Sequence, residues 1–379
     1  MDIPKFGEFF SQINTSYWLL GIPFGKCNIH VRFYIFLTLV LLMAIGEINF
    51  CAANVSSKHL LELTELAPCL SVGVLSILKI ICIATKRNKI NNLVCCLKNL
   101  YDNIINDEEK KDIVRADLLF LKALIKTYFI LNMLLIMMYN FSTIFLMFYH
   151  YLKTSEVSFM LPYAILLPFS MDTWYEWILV YMYSIMSGFL CVLFYTAVDI
   201  LYYILTSHIC NHFTLLSSDI QHLTDGNLLK NIIQRHQYLL KLSEGLEDIF
   251  TAPNFFNVLV GSLEICALGF TLTFGGGIQI LGVTLFLTSV LLQMYMMCLF
   301  GETLMRKSTS VGEMAYFCNW HDMDKSSKKT ILLIITRSNK EKHLTAYKFS
   351  VISYKCFTKI ISTSWTYFTI LRTLYTESE

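Results

Sequence analysis

The chain has 379 residues, of which 55% are hydrophobic and only 15% charged, with a formal net charge of +2. Globular proteins carry about 25% charged residues, and a soluble chain of this size needs more polar surface to cover its core. That balance excludes an ordinary soluble domain and indicates an all-α protein that crosses a membrane several times.

From the N-terminus, Met1 to Lys26 lacks a basic start, an apolar core and a small-residue cleavage site. No signal peptide is expected, and the first apolar span must itself target the chain. A span needs roughly 20 apolar residues. Seven segments qualify, at about 31–52, 61–84, 127–152, 178–206, 256–277, 279–300 and 350–375. The fifth and sixth are split by "FGGGIQ", Phe274 to Gln279, a glycine turn suited to a tight helical hairpin. Between the fourth and fifth, Leu215, Ile220, Leu223, Leu228 and Ile232 recur at helical spacing.

The distribution of basic residues sets the direction. Of the 30 Lys and Arg, 24 fall in the N-terminal segment, counted through Arg32 at the mouth of the first span, and in the second, fourth and sixth loops. Lys58, Lys153 and Arg372 lie on the opposite side; Lys79, Lys355 and Lys359 lie within spans. The positive-inside rule places the N-terminus in the cytosol and the C-terminus outside. This is the reverse of a G-protein-coupled receptor, and that class's Asp-Arg-Tyr and Asn-Pro-x-x-Tyr motifs are missing as well.

Chemistry-bearing patterns are few. The 12 cysteines include no CxxC and no Cys/His set with zinc spacing, and they read as small buried hydrophobes. The nine His are scattered, no nucleophile has a base at usable spacing, and no phosphate-binding glycine loop occurs. An enzyme is not expected, nor is a cofactor. Glu264 stands inside the fifth span, where a charge is a functional suspect; a hydrogen bond to Ser262 or to nearby backbone is the structural reading. Asn54-Val55-Ser56 is an outer-side glycosylation sequon close to the membrane. The last span, "STSWTYFTILRTLY", carries Ser362, Thr366, Thr369 and Thr373 along one side. Such hydroxyls either bond back to the preceding turn or face water inside the membrane.

Several stretches resemble insect odorant receptors. At the C-terminal end these are Ala315, Tyr316 and Trp320; Leu344, Thr345, Ala346, Lys348 and Phe349; and Tyr367, Phe368, Thr369, Leu371 and Arg372. "LLQMYMMCLFGETL" resembles the family's sixth-span ending, with Gln293, Tyr295, Cys298 and Gly301. "LPFSMDTWYEW" resembles its outer loop before span four, and Asp199 and Lys79 extend the match. Tyr347 departs from the usual Gly, which bears on the local backbone. Thr366 replaces the more usual Ser. Thr373 stands where the shared co-receptor carries Gln, which with the lack of that subunit's long second cytosolic loop identifies a ligand-specific tuning subunit.

The resemblance implies an odorant-gated, non-selective cation channel in the plasma membrane of an olfactory neuron's dendrite, a heterotetramer with the co-receptor. It implies a broken seventh span, with a cytosolic inner half and a pore-lining outer half beginning near Ser362. Residues 1–305 would hold spans one to six and the ligand pocket, and 306–379 the cytosolic anchor and pore helix. Ile370 would sit at an apolar constriction, with Thr366 and Thr373 one turn to either side; an ordinary packing role is the alternative. Arg372 is expected to reach headgroups or Glu377. The implied pocket lies in the outer half among spans two, three, four and six. Its expected lining is Val72 with Pro68 and Leu75; Tyr139, Thr143 and Met147 with Leu146 and Tyr149; and Tyr181 and Ile185 with Ser184 and Gly188. That cavity suits a small neutral volatile, although plain helix packing explains each residue equally well. A gustatory receptor, opening as a homotetramer, shares the topology and is the alternative; no inverted repeat marks a transporter.

Overall fold

The computed structural model describes residues 3–22, 29–54, 60–155, 159–167, 173–223, 228–274 and 279–378. Ten α-helices account for most of them: α1 (Phe6–Leu19), α2 (Val31–Ala53), α3 (Leu60–Thr85), α4 (Arg87–Ile105), α5 (Glu108–Thr154), α6 (Trp174–Gln221), α7 (Leu229–Phe274), α8 (Gln279–Phe317), α9 (Lys325–Ser338) and α10 (Tyr354–Ser378). A two-stranded antiparallel hairpin, β1 (Thr345–Ala346) and β2 (Ser350–Val351), precedes α10. The glycine turn at 275–278, Val55 and Ser56 of the sequon, and Pro168 to Asp172 fall outside the described residues, as does the side chain of Glu377.

Six helices, α2, α3 and α5 to α8, are long and apolar enough to cross a membrane. The seventh, α10, has 25 residues and at 1.5 Å per residue is roughly 38 Å long, enough to cross, but it is less apolar. Phe141, Ile144, Phe145 and Phe148 of α5 and Leu179, Met182 and Met186 of α6 are exposed. Such a belt is stable in lipid and not in water.

Four spans extend well past the bilayer. Helix α5 starts at Glu108 and not near 127, and α6 continues past 206 to Gln221. With 48 residues, α6 is roughly 72 Å long against a hydrocarbon core of about 30 Å. Likewise α7 and α8 continue on the cytosolic side, so the polar loops of the sequence are largely helix. Caps fix the ends. Asp107 accepts from the Lys110 amide to start α5, Asp324 from those of Ser326 and Ser327 to start α9, and Glu176 closes a capping box with Thr173 at the start of α6.

Helix α6 is the axis of the fold. It is apolar on every side, and nearly every residue from Phe194 to Phe213 is buried against α8, α5, α3 and α7. In the cytosolic half, α1 docks onto this axis: His208 of α6 lies among the rings of Phe6, Phe9 and Tyr101, with centroids 5.1, 5.2 and 5.4 Å away.

The last span differs from the sequence expectation in where it breaks. Helix α10 runs without interruption from Tyr354 through Ser362 to Ser378, since the stretch contains neither Gly nor Pro to bend it. The interruption lies upstream, in the hairpin, where Tyr347 and Lys348 have positive φ (47° and 62°). The cytosolic half is therefore α9, and the hairpin joins it to α10. The hairpin is pinned to α7: Thr345 Oγ1 donates to Glu247 (3.0 Å), and the Tyr347 amide donates to Thr251 Oγ1 (3.1 Å). It also abuts α8, where a Cβ on Gly301 would overlap the Ile352 carbonyl oxygen.

Candidate ligand site and pore helix

Toward the cytosolic ends of the spans the helices are joined by a buried polar network. Lys79 of α3 and Asp199 of α6 pair at 2.8 Å, 0% and 5% exposed. Tyr128 of α5 donates to Asp199 Oδ2 (3.1 Å), and Gln293 of α8 donates to the same oxygen (3.0 Å). Gln293 also donates to Asn257 of α7 and accepts from Tyr195, whose ring lies 3.7 Å from the Lys79 ammonium. Four helices thus meet at one carboxylate, and Gln293 ties in α7 as the fifth. A buried ion pair is tolerated where its remaining hydrogen-bonding capacity is used, as it is here. Glu264 of α7 is 1% exposed and accepts from Ser71 of α3 at 2.7 Å. The expected partner Ser262 instead bonds its own helix, at the Leu259 carbonyl. Helical periodicity ranks same-helix neighbours and says nothing of a facing hydroxyl.

Above this network lies the outer half. Loop residues 159–167 tuck in against the helices. Tyr163 fills the notch opposite Gly188, where a Cβ would overlap its hydroxyl, and donates to Asn140 Oδ1 (2.9 Å). Tyr181 donates to the Asn140 carbonyl (2.7 Å) and stacks on Trp177 with centroids 4.9 Å apart. Tyr139 shares a 2.8 Å hydrogen bond with Cys69. A small cavity of about 10 Å³ remains, lined by Glu47, Cys51, Leu66, Cys69, Leu70, Tyr139, Tyr163 and Ala164. That is room for about one water.

Of the residues read from the sequence as ligand-lining, Tyr139 borders this cavity and Tyr181 is linked to it through Asn140 and Tyr163. Thr143 and Tyr181 are buried, while Val72, Met147 and Ile185 are half-buried; none of the five lines the cavity. Leu146 is half-buried, and Pro68, Leu75, Ser184 and Gly188 are packed in the core, with Ser184 bonded to the Val180 carbonyl. Tyr149 is exposed. Sequence reasoning missed Glu47, Cys69 and Tyr163. A carboxylate within the apolar run of α2 was itself a signal, whereas Tyr163 lies in a loop, where no periodicity exists to read.

On α10 one flank packs and the other is open. Ser364 Oγ donates to the Ser262 carbonyl of α7 (2.9 Å), and Tyr375 meets Phe270 and Phe274 at centroid distances of 5.5 and 4.9 Å. Thr366, Thr369, Ile370 and Thr373 are all exposed. The hydroxyls of Thr366, Thr369 and Thr373 donate back to their own helix, at Ser362, Thr366 and Thr369 carbonyls. Each hydroxyl oxygen keeps acceptor capacity turned outward. The back-bonding reading of the stripe therefore holds. Arg372 is exposed at the outer end, and Lys355 and Lys359 are exposed in the first turns, near the hairpin.

Comparison with known proteins follows the same lines. Odorant receptor 85c of Drosophila melanogaster is 26% identical, over 99% of this chain and 100% of its own length. Odorant receptor 13a of the same fly is 28% identical, over 58% of each chain. The odorant receptor coreceptor of Anopheles gambiae is 26% identical over 38% of this chain and 30% of its own. The solved structure of insect olfactory receptor OR5 from Machilis hrabei, in complex with eugenol, superposes with a TM-score of 0.81 at 16% identity, over 98% of this chain and 100% of that one. Residues 60–365 match the family described as 7tm Odorant receptor, and the chain belongs to that family of multi-pass membrane receptors.

Proposed function

We propose that this chain is the ligand-specific subunit of an odorant-gated cation channel, assembled as a heterotetramer with the odorant co-receptor in the plasma membrane. The observation that carries this reading is α10. It is the least apolar of the seven spans, fixed to α7 on one flank and presenting Thr366, Ile370 and Thr373 on the other. A lone lipid-facing helix gains nothing from such a stripe. Around a shared axis with three further subunits, it would line water, with Ile370 supplying one side of an apolar constriction. In this reading residues 1–305 hold the ligand site and 306–379 form the anchor and pore.

The ligand is a small neutral volatile held in the outer half, by shape against Val72, Tyr139, Thr143, Met147, Tyr181 and Ile185. The similarity to a receptor solved with eugenol supports a small-molecule ligand of that size. Because the space present is small, binding displaces Tyr163 from its notch. Co-expression of this chain with and without the co-receptor, against a volatile panel, tests the reading: ligand-evoked cation current is expected only with both subunits. Evoked current from this chain alone at full amplitude would sink the heteromer. An epitope after Glu379 should label intact cells, and one before Met1 should not.

A further inference from the structure

Glu47 lies in the middle of α2, within an otherwise apolar run, and is 7% exposed. Its carboxyl group borders the outer cavity that Cys69, Tyr139 and Tyr163 close. Among the described residues it makes no hydrogen bond and no ion pair. Opposite it, α3 carries Gly73, and a Cβ there would sit 3.7 Å from Glu47 Oε2, in ordinary contact with it.

The groups around it are already engaged. The Tyr139 hydroxyl is shared with Cys69, and the Tyr163 hydroxyl is given to Asn140. Lys79, the buried cation of the membrane half, is held by Asp199. Asn140 Nδ2 has no partner, yet Asn140 does not line the cavity. What the cavity leaves open is thus an acceptor, and a buried carboxyl group without a partner is costly in lipid. A ligand that brings a donor removes that cost. One that brings only an ether or ester oxygen adds a second acceptor beside the first.

We propose that Glu47 is the polar anchor of the outer cavity and selects small ligands that donate a hydrogen bond to it, amines and alcohols, over ethers and esters of the same skeleton. This rests on the ligand site proposed above. It alters the expected polarity of recognition, since the hydroxyls of Tyr163 and Tyr181 donate within the protein and that of Tyr139 is shared with Cys69.

The test uses the full chain with the co-receptor, and a matched amine, alcohol and methyl ether on one aromatic skeleton. Because leaving a buried acceptor unpaired costs about 1–3 kcal/mol, wild type should respond to the two donors at concentrations at least about fivefold below the ether. In Glu47→Leu the donors should lose about that factor, while the ether shifts by less than about threefold. Glu47→Gln sets an amide donor beside the acceptor oxygen, so the ether should gain and the advantage of the two donors over it should shrink. Surface labelling is measured for each variant. If Glu47→Leu fails to reach the surface, an unchanged donor-to-ether ratio in Glu47→Gln overturns the proposal. Equal loss of donors and ether in Glu47→Leu, or no loss, also overturns it. A wild-type channel that answers ether and donors alike sinks this inference alone, whereas one that answers no volatile sinks the odorant reading with it.

Discussion

Lys79 on α3 and Asp199 on α6 are 120 positions apart and meet at 2.8 Å with both side chains inside the membrane half. Tyr128, Gln293 and the Tyr195 ring complete the shell. The pair therefore fixes the register of α3, α5, α6 and α8 relative to one another. Asp199→Ala leaves an unmatched buried ammonium, and removing one partner of such a pair costs about 3–5 kcal/mol. The expected outcome is loss of the melting transition of the purified protein and retention inside the cell. Lys79→Met combined with Asp199→Leu should recover part of the loss. A single Asp199→Ala that melts like wild type would show the pair to be dispensable.

Tyr347 occupies the left-handed region at φ 47°, a conformation that costs a residue with a Cβ roughly 1–2 kcal/mol and glycine almost nothing. Its ring partly compensates by meeting Phe255 edge-on at 5.5 Å. Tyr347→Gly should thus be neutral to stabilising by about 1 kcal/mol, while Tyr347→Ala keeps the strain, loses the ring and should destabilise. Thermal melts of the two variants decide this, and Ala outperforming Gly would mean the backbone there is not strained.

Three imidazoles in the cytosolic extensions titrate far from their ordinary value. Burial lowers His208 to about 3, reinforced by His212; burial lowers His212 to about 4, reinforced by Arg235; and burial lowers His236 to about 4, reinforced by Arg337. Below pH 6.5 the unfolded chain takes up protons that the folded chain refuses. Stability is therefore complete above 6.5 and falls as pH drops toward 4, by about 1.4 kcal/mol per pH unit for each fully buried ring. Asp248, lowered first by its hydrogen bond to Lys89, loses its contribution only below its ordinary 3.8, a separate and more acidic window. Melting at pH 7.5 and at about 5 should show the difference, and His208→Phe should flatten it. A pH-independent melting temperature across that interval would contradict the buried, neutral state.

The apolar spans and the direction of the chain were legible because both depend on local composition: runs of apolar residues and the side on which Lys and Arg collect. The cytosolic helical extensions were only half legible. Leu215, Ile220 and Ile232 carry the right period, but nothing local says that α6 is one helix from Trp174 to Gln221. The broken last span was misplaced by a whole segment, since the break rests on the backbone of Tyr347 and Lys348 and not on a helix breaker. The proposed ligand site was the least legible part. Tyr139 and Tyr181 were found by helical spacing, but Tyr163 enters from a loop and Glu47 from a helix outside the expected four. Contacts between elements distant in sequence leave no periodicity behind.

The outer half also predicts which ligands are refused. Glu47 borders the cavity, and Lys79 is taken by Asp199 below it. Lys153 is exposed at the end of α5, and Lys58, Asp172 and the side chains of Glu62 and Glu65 lie outside the described residues. An anion entering here would lose its water and meet like charge, whereas a neutral volatile gains roughly 25 cal/mol for each Å² of apolar area removed from water. Carboxylic acids should be the weakest agonists in a dose–response panel at fixed pH. A carboxylate as the most potent agonist would place the ligand elsewhere.

Ile370 is 52% exposed on the open flank of α10, between Thr366 and Thr373, one turn away on either side. If that flank lines the pore, Ile370 is the apolar step in a hydroxyl-lined path, and dewetting there holds the channel shut. Ile370→Gln wets the step and should raise basal current or alter cation selectivity, with little change in the concentration of odorant that gives half response. In a heterotetramer the other subunits supply the rest of the ring, so the effect should be partial. Cysteines placed at Thr366 and Thr373 should react with a small charged thiol reagent in the open channel, and one at Phe368, turned toward Gly269 of α7, should not. An Ile370→Gln channel that reaches the surface with unchanged conductance, block and selectivity would turn this flank of α10 away from the pore.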